Sequence, residues 1–520
     1  MFSLAWAVCL SFVVCFAVCF AWQTFCNLPP AWLKQLHSLG RPRKHMLSGT
    51  AVVCGGSIAG IVAARICADH FERVIIIDPE IRDSEKPKTR ILQYNAGHIL
   101  LYLFVEGARK LWPNFDVEMK AAGGRFGPAD TQIHYSGIPL LTPYNKYPSG
   151  QFPDTLIIRR SICQKVLHRL LMQHPTSSKI IMLAGTVRGV RASQDSTSVD
   201  SVTVRELDGS HSSLQDVALV VDCTGMTQAG SKWLSTSGFE LPEMIRSRYH
   251  GNISYMTLCF NVSPDLAAKL PIPAAQRKTM LVYGYVPHDE AQSSTLALIM
   301  TDNNTIQLMF ADTAHRDLPR TAAEVLPFIT AFQSFKTPIP SWVIEVIELL
   351  CEYGNPSFDP VKISTQSFVQ YHTLPKGTLP SNFIALGDAS LQLNPVHAQG
   401  FSKAIMNGIA LNSLLHAVKS ASLPDDFSTR YFKNSAETME ALWNATRLHD
   451  YGSPSCEPMD GETKDTGRLV RWFESKLVSA ATKDEEVASA LWHVRHMLAA
   501  DKALLAPTVL WKILWTPSLF

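Results

Sequence analysis

Residues 50–80, TAVVCGGSIAGIVAARICADHFERVIIIDPE, constrain the fold more than any other stretch of this sequence. Ala51–Cys54 is an apolar run of the length of a buried strand, and Val74–Ile77 is a second run rich in β-branched residues. Between them, Ile58–Ala68 carries small and apolar residues at helical spacing. The order strand, glycine turn, helix, strand predicts a βαβ unit in a parallel sheet.

The turn of this unit follows the GxGxxG spacing that is typical of dinucleotide-binding sites. Gly55 and Gly60 fill the first and third glycine positions, and Ser57 stands at the second. Gly55 permits a tight turn, Gly60 allows close packing, and Ser57 is small enough for a pyrophosphate to reach the helix amides. Asp78 stands near the spacing, about 20 residues, of an acid that binds ribose hydroxyls. A βαβ unit without a ligand is the alternative interpretation. The predicted contacts are Gly55, Gly56, Ser57, Ala59, Gly60 and Asp78.

A second stretch, NFIALGDASLQLNPVHAQGFSKAIMNGIALNSLL, indicates which dinucleotide binds. It predicts a strand at 383–386, a turn at Gly387 and Asp388, a loop with Pro395, and a helix that begins at Gly400. Together with GGSIAG, this pattern resembles FAD-dependent monooxygenases of the p-hydroxybenzoate hydroxylase type. The olefin-epoxidising enzymes of polyketide pathways are the most similar branch. The resemblance covers roughly residues 48–420 and includes RSIC at 160–163 and LVVDCTG at 219–225.

The resemblance implies roles for individual residues. Asp388 would accept hydrogen bonds from the ribityl hydroxyls of FAD. Gly400 and the helix after it would direct amide N–H groups at the flavin pyrimidine edge, where reduced flavin carries negative charge. Arg90 and Arg160 would line the isoalloxazine and phosphate side, with Arg159 as the alternative if the register shifts by one. The cofactor contacts implied in this way are Arg90, Arg160, Gly387, Asp388 and Gly400.

The predicted fold class is α/β. It combines a doubly wound FAD-binding domain of the glutathione reductase type, an antiparallel β-sheet substrate domain, C-terminal helices and an N-terminal transmembrane helix. Alternating residues from 186 to 217 predict a β-meander, and β-rich runs from 253 to 311 with a DNN turn predict the substrate-domain sheet. The predicted domains are an anchor and linker at 1–46, a FAD-binding domain at 47–235 and 376–425, a substrate-binding domain at 236–375 and a helical region at 426–520.

In the family that the sequence resembles, reduced flavin and O2 form a C4a-hydroperoxide that transfers one oxygen atom to an electron-rich substrate. The implied function is therefore a flavin-dependent monooxygenase with FAD as cofactor, NADPH or NADH as reductant, and O2 and a small apolar polyketide or terpenoid as substrates. Alkene epoxidation requires no protein base, whereas phenol hydroxylation usually requires one. Thr224 in DCTG resembles the epoxidase form and replaces the Asp-Gly pair of many aromatic hydroxylases, which favours epoxidation.

Two histidines are candidates for contacts with substrate or flavin. His397 stands in NPVHAQG, the loop expected to face the flavin ring, and His98 follows Gln93 in a segment with amphipathic spacing. A hydrogen bond to a backbone group is the alternative role for each. The sequence identifies neither as a catalytic residue.

Other functions on the same fold are also considered. These are an aromatic-ring hydroxylase, a flavin-dependent reductase of prenyl double bonds, and a flavin-free lipid escort similar to the Rab escort proteins. The presence of Asp388 together with Gly55 and Gly60 argues against the escort. Halogenases share this fold, but the sequence has no WxWxIP-like element.

The stretch 2–22, FSLAWAVCLSFVVCFAVCFAW, carries no charge and has about the length that a helix requires to cross a hydrocarbon core of ~30 Å. The positive-inside rule, applied to the basic residues between 34 and 44, predicts an endoplasmic reticulum anchor with the catalytic domain facing the cytosol. A cleavable secretory signal is the alternative, but the basic n-region and the small-residue cleavage site are missing.

Composition excludes several other classes. A formal net charge of +2 gives no electrostatic footprint for nucleic acid. The 11 cysteines are scattered and include no CxxC pair, so the sequence predicts free thiols and no metal site. No protein partner is implied. The sequence has four N-glycosylation sequons, at Asn252, Asn261, Asn303 and Asn444. They would be glycosylation sites only if the domain were lumenal.

Overall fold

The computed structural model describes residues 2–82, 85–147, 150–287 and 293–519, without the side chains of residues 2–13. In chain order the strands are β1 (Leu47–Cys54), β2 (Phe71–Ile77), β3 (Arg125–Pro128), β4 (Ile133–Tyr135), β5 (Ile138–Pro139), β6 (Asp154–Ile157), β7 (Ile180–Leu183), β8 (Gly185–Ala192), β9 (Val199–Glu206), β10 (His211–Leu214), β11 (Val217–Asp222), β12 (Arg246–Tyr249), β13 (Ile253–Asn261), β14 (Tyr283–Val286), β15 (Ser294–Met300), β16 (Thr305–Asp312), β17 (Ser357–Ile363), β18 (Gln366–Val369), β19 (Phe383–Ala385) and β20 (Leu391–Gln392). The α-helices are α1 (Phe2–Asn27), α2 (Ala31–Leu36), α3 (Ile58–His70), α4 (Tyr102–Leu111), α5 (Phe115–Ala121), α6 (Arg160–Gln173), α7 (Ala229–Thr236), α8 (Pro264–Lys269), α9 (Ala322–Phe332), α10 (Ser341–Tyr353), α11 (Gly400–Ala417), α12 (Phe427–Asp450), α13 (Arg468–Ala481), α14 (Glu485–Arg495) and α15 (Pro507–Trp515).

A five-stranded parallel sheet is built in the order β19-β11-β1-β2-β7. The predicted βαβ unit is confirmed, because β1 and β2 pair in parallel and α3 connects them. Residues 51–54 of β1 are fully buried, as expected of a central strand whose two faces are both covered. This sheet places the ends of β1, β2, β11 and β19 at one edge, where the predicted ligand-binding turns begin.

Helices α3 and α11 pack closely against each other in the same hydrophobic core as this sheet. The contact depends on Gly408, where an added Cβ would lie 2.8 Å from the Cδ1 atom of Ile66 and 3.1 Å from the Cγ1 atom of Val62. The predicted β-meander is also present as the antiparallel sheet β10-β9-β8, and its valines join the same core.

A second, seven-stranded sheet has the order β17-β13-β16-β15-β14-β4-β5. It is antiparallel except for the pair β4-β14, and together with α9 and α10 it encloses a separate hydrophobic core. The hairpin predicted from the DNN turn is confirmed, with Asn303 and Asn304 at φ 49° and 58° between β15 and β16. The predicted domain boundaries remain predictions.

The C-terminal segment is helical, as predicted, and contains α12 to α15. It also contacts the described end of α1. The indole Nε1 of Trp22 donates to the backbone oxygen of Leu505 at 3.0 Å, and Cys26 is buried in a small core with residues of α13, α14 and α15. The described end of α1 therefore lies against the C-terminal helices.

The prediction of a transmembrane helix at 2–22 is not supported. Helix α1 spans these positions, but no helix in the described part of the chain combines the length and the hydropathy that a membrane crossing requires. The side chains of residues 2–13, about half of the predicted anchor, lie outside the described residues.

Gly60 provides a test of the close packing at the start of α3. An added Cβ at this position would lie 1.8 Å from the backbone oxygen of Gly55, so Gly60→Ala must displace backbone rather than a flexible side chain. We expect this variant to lower the free energy of unfolding by about 1–3 kcal/mol, measured by denaturant titration. Gly189→Ala is the matched control, because its Cβ would meet no atom within 4 Å. Equal stability of the two variants would contradict this packing argument.

Candidate active site

The turn after β1 has the geometry of a phosphate-binding loop. Gly55 adopts φ +121°, a conformation that L side chains rarely adopt, and an added Cβ would lie 2.3 Å from the backbone oxygen of Cys223. Its amide donates to the backbone oxygen of Ile77 at 2.8 Å, which joins the turn to β2. Only glycine satisfies both the φ angle and the space at this position.

Helix α3 begins immediately after the turn, with Ser57 as its N-cap residue and no side-chain cap. The first amides of the helix therefore keep free hydrogen-bonding capacity and present the positive end of the helix dipole. The Ser57 hydroxyl donates instead to Oε1 of Gln164 on α6 at 3.2 Å. No sequence pattern indicated Gln164 as a partner, because it lies 107 positions after Ser57 in the chain.

Asp78 closes the βαβ unit at the end of β2. Its carboxylate accepts hydrogen bonds from the amide of Gly56 at 3.0 Å and from the amide of Glu80 at 2.8 Å. Each carboxylate oxygen retains acceptor capacity, so the group can still bind ribose hydroxyls. Asp78 therefore lies where the glycine fingerprint places it.

The turn at Gly387 and Asp388 lies directly against the start of α3. Gly387 adopts φ +64°, and an added Cβ would lie 2.8 Å from the Cβ atom of Ala59. Its amide donates to Oδ1 of Asn407 at 3.0 Å, which fixes the turn on α11. Two stretches separated by more than 300 residues in the sequence thus meet at one place, as a shared ligand would require.

A buried lysine is the main feature of this site that the sequence interpretation missed. Lys403 is 1% exposed, and its ammonium nitrogen lies 2.6 Å from Oδ1 of Asp388, whose side chain is 45% exposed. The same ammonium also donates to the backbone oxygen of Leu391. The sequence did contain a signal for this lysine, because it is a charged residue one turn into the apolar helix α11. The ion pair orients the carboxylate and leaves its second oxygen accessible.

Arg160, rather than Arg159, lies beside the turn. Arg159 forms an ion pair with the buried carboxylate of Asp302, with Nη2 and Oδ2 separated by 2.6 Å. Arg160 instead has Nη2 at 3.4 Å from the Ser57 hydroxyl and Nη1 at 3.4 Å from Nε2 of His98. Burial lowers the pKa of Arg160, and the negative charge of Asp388 opposes this effect. Arg160 is therefore positioned between the two turns.

Several polar atoms around these turns lack protein partners. Among the described residues, Nε of Arg160, Oε1 of Gln399 and Oγ of Ser402 are buried without a hydrogen bond. Gly400, the first residue of α11, has open space where a side chain would lie, and α11 has no side-chain cap. Buried polar groups are normally satisfied, so these atoms and free amides fit a bound polar cofactor such as FAD.

The two candidate histidines have different surroundings. Nδ1 of His98 lies 2.8 Å from the backbone oxygen of Ala96, and burial and then Arg160 lower the pKa of His98 to about 3. A ring with this pKa stays neutral and is a weak proton acceptor. Nε2 of His397 lies 3.4 Å from Oδ1 of Asp450. A catalytic role for either histidine remains a prediction.

Arg90 is exposed in the segment between β2 and α4. Next to it, a cavity of about 240 Å³ is lined by residues 87–89, 91–92 and 94–96 and by residues 359–361 of β17. The roles that the sequence implies for Arg90 and for the other predicted FAD contacts remain predictions.

Comparison with known proteins places this geometry in context. No protein-family model matches the chain. The Mycobacterium tuberculosis protein Rv3254 is 22% identical over 488 residues, which cover 91% of this chain and 93% of that protein. The Pseudomonas aeruginosa protein PqsL, a probable FAD-dependent monooxygenase, aligns with a TM-score of 0.53 and 15% identity over 78% of this chain and 96% of its own. A Cytophaga hutchinsonii flavoprotein/dehydrogenase aligns with a TM-score of 0.58 and 14% identity over 89% and 95%.

The chain has the fold of FAD-dependent monooxygenases. The predicted resemblance to monooxygenases of the p-hydroxybenzoate hydroxylase type is therefore confirmed at the level of the fold, and this fold supports FAD as the cofactor. The olefin-epoxidase branch and the nicotinamide reductant remain predictions.

Asp388 allows a direct test of the predicted ribityl contact. We expect Asp388→Asn to weaken FAD binding about tenfold or more, because hydrogen bonds to a charged group contribute ~1.5–3 kcal/mol. The dissociation constant is measured by flavin fluorescence quenching during reconstitution of the apoprotein. Asp208→Asn, in an exposed turn, is the matched control.

The ion pair with Lys403 must be separated from cofactor binding, because Asp388→Asn leaves a buried ammonium without its partner. The double variant Asp388→Asn/Lys403→Met removes that unpaired charge and is expected to recover stability while FAD binding stays weak. Recovery of FAD affinity in the double variant would show that Asp388 contributes only through the ion pair.

Proposed function

We propose that the chain is an FAD-dependent monooxygenase that transfers one atom of O2 to a small organic substrate. One observation carries this proposal: the turns at 55–57 and 387–388 meet at the start of α3, with the uncapped end of α11 beside them. This arrangement suits a molecule with a pyrophosphate, hydroxyls and a polar ring along its length. FAD has these groups in this order.

Each part of the site has a role toward that cofactor. The free amides of α3 hold the pyrophosphate, and Asp78 receives the ribose hydroxyls. Asp388, oriented by Lys403, receives the ribityl hydroxyls, and the positive end of α11 stabilises negative charge on the reduced ring. Bound and reduced FAD supplies the activated oxygen.

Alkene epoxidation of an apolar polyketide or terpenoid is the more specific reaction that the sequence resemblance favours. Thr224 of the DCTG segment donates to Oδ1 of Asp222 at 2.7 Å and accepts from the amide of Ala229 at 3.0 Å. The segment is therefore a folded turn whose carboxylate is internally satisfied. This supports the epoxidase-like interpretation, in which no acid of this segment binds NADPH.

Aromatic-ring hydroxylation is the second candidate, and one observation favours it. Nε2 of His397 lies 3.4 Å from the buried carboxylate of Asp450, an arrangement that suits a proton acceptor. The structural neighbour PqsL has been solved in complex with 2-aminobenzoylacetate, an aromatic compound, with a TM-score of 0.51 to this chain.

The absorption spectrum and oxygen uptake of the purified protein test the proposed function. We expect a yellow protein with bound FAD whose NADPH or NADH oxidation consumes O2, followed with an oxygen electrode in the presence of candidate alkenes and phenols. A colourless protein would instead support the escort function. Substrate reduction without oxygen uptake would support the double-bond reductase.

We propose that the protein associates with a membrane through a peripheral surface rather than through a transmembrane span. The proposed location is the endoplasmic reticulum, with the catalytic domain facing the cytosol. Helices α1 and α15 contact each other, and each carries exposed apolar side chains among its described residues, including Phe16 at 74% and Trp515 at 72% exposure. Patches of this kind mark interaction sites, and tryptophan is enriched at membrane interfaces.

The C-terminal tryptophans test this surface. We expect Trp511→Ser/Trp515→Ser to reduce binding to phosphatidylcholine vesicles at least several-fold in a flotation assay, because both rings are exposed and stacked on each other. Phe335→Ser, which removes a ring that is 86% exposed elsewhere, is the control. Equal flotation of both variants and the unmodified protein would exclude α15 from membrane binding.

A further inference from the structure

Two cysteines on α1 differ from the other described cysteines in their exposure. Cys15 and Cys19 are exposed, whereas the remaining cysteines in the described part of the chain are buried or half-buried. The two residues are four positions apart on the helix, so their side chains lie on the same face, one turn from each other. The structure therefore presents a pair of accessible thiols on one face of α1.

Burial makes the other thiols poor nucleophiles. The thiolate is the reactive form of cysteine, and burial raises the pKa of Cys67 and of Cys163 to about 12. The half-buried thiol of Cys351 has its pKa raised to about 11 for the same reason. These thiols stay protonated near neutral pH and are shielded from reagents. Among the described cysteines, a thiol-directed reagent therefore reaches Cys15 and Cys19 first.

The surroundings of this pair are apolar and uncharged. Phe16 and Phe20 are 74% and 66% exposed, and residues 14–33 contain no charged side chain. A charged thiol reagent would find no counter-charge within this stretch of sequence. A long hydrocarbon chain would instead contact exposed apolar side chains, which favours its burial against the helix. The surroundings thus select a lipid-like modifying group.

The cysteine face of α1 is the face that meets the C-terminal helices. Cys26 lies seven positions, or about two turns, after Cys19 and therefore shares its face. Its side chain is 2% exposed in a core with residues of α13, α14 and α15. Cys15 and Cys19 continue this face beyond that core. A chain attached to them would add apolar area on the side of α15, where two tryptophan rings are exposed and stacked.

We propose that Cys15 and Cys19 are S-acylation sites, each taking a long-chain fatty acyl group from an acyl-coenzyme A. Exposed cysteines on a membrane-associated helix are typical substrates of this reversible modification. The proposal rests on the peripheral membrane association proposed above and specifies a covalent anchor for it. One acyl chain gives only marginal, reversible membrane binding, whereas two hydrophobic signals give stable anchoring. Two acylated cysteines beside an apolar surface would supply stable anchoring.

The acyl transfer balances without an oxidant or a reductant. The cysteine sulfur attacks the carbonyl carbon of the acyl-coenzyme A, so that a new C–S bond forms. The C–S bond to coenzyme A breaks, and its electron pair stays on the sulfur of the leaving group. That sulfur takes the proton of the cysteine thiol, and coenzyme A leaves as a free thiol. One thioester replaces another, and hydroxylamine can cleave the new one.

Metabolic labelling of the full-length protein tests the proposal. The protein is expressed in yeast supplied with an alkyne-tagged stearic acid, and the incorporated label is quantified after purification. We expect label that neutral hydroxylamine removes and that Cys15→Ser/Cys19→Ser abolishes, with a partial loss in each single variant. In a flotation assay with phosphatidylcholine vesicles, hydroxylamine treatment is expected to reduce binding at least about tenfold, because it removes the acyl chains.

Cys351→Ser is the matched control, because Cys351 is half-buried on α10, and it should keep the label. Circular dichroism of every variant verifies its fold. Absence of label, label that resists hydroxylamine, or label that persists in Cys15→Ser/Cys19→Ser would overturn the proposal. A labelled protein that floats only while acylated would support the acylation sites and refute membrane binding by the apolar surface alone.

Discussion

The contact between two turns is the constraint on which the rest of the site depends. A Cβ added at Gly387 would lie 2.8 Å from the Cβ atom of Ala59, and one added at Gly55 would lie 2.3 Å from the backbone oxygen of Cys223. These contacts bring the free amides of α3 and the carboxylate of Asp388 into one cleft. Gly408 allows α11 to approach α3 in the same way, so that both helices begin beside the same ligand position. The site therefore forms because glycines at these positions allow the backbone segments to approach each other closely.

The charged side chains of the cleft determine which kind of ligand it can bind. Arg160 and Lys403 bring two cationic groups into partly desolvated positions beside Asp388. Buried charges are costly unless they are paired. Asp388 forms an ion pair with Lys403, and its negative charge also favours the charged form of Arg160. An anionic cofactor between Arg160 and Lys403 would neutralise the remaining positive charge, because its phosphates and its reduced ring both carry negative charge. Arg159 forms its ion pair with Asp302, so its guanidinium adds no unpaired positive charge beside Asp388.

The sequence predicted the parts of the site that depend on local geometry. The glycine turn, the acid at the end of β2 and the start of α11 follow from short patterns, since backbone conformation limits which residues can stand there. Lys403 was missed although a charge in an apolar helix could have indicated it. The pairing of His397 with Asp450 had no local signal, because the partner lies 53 positions away on another helix. The apolar N-terminus was interpreted from its length, its lack of charge and the basic residues that follow it, and these features do not show that its end packs against the C-terminal helices.

Epoxidation and hydroxylation differ in one respect, which is whether the pocket must accept a proton from the substrate. Asp450 already accepts hydrogen bonds from the Tyr249 hydroxyl and from the side-chain amide of Asn394. An apolar substrate in the neighbouring cavity of about 160 Å³ would therefore leave this carboxylate satisfied by the protein itself. Its position 3.4 Å from Nε2 of His397 is explained by the same network, so the carboxylate at 450 does not by itself select either reaction.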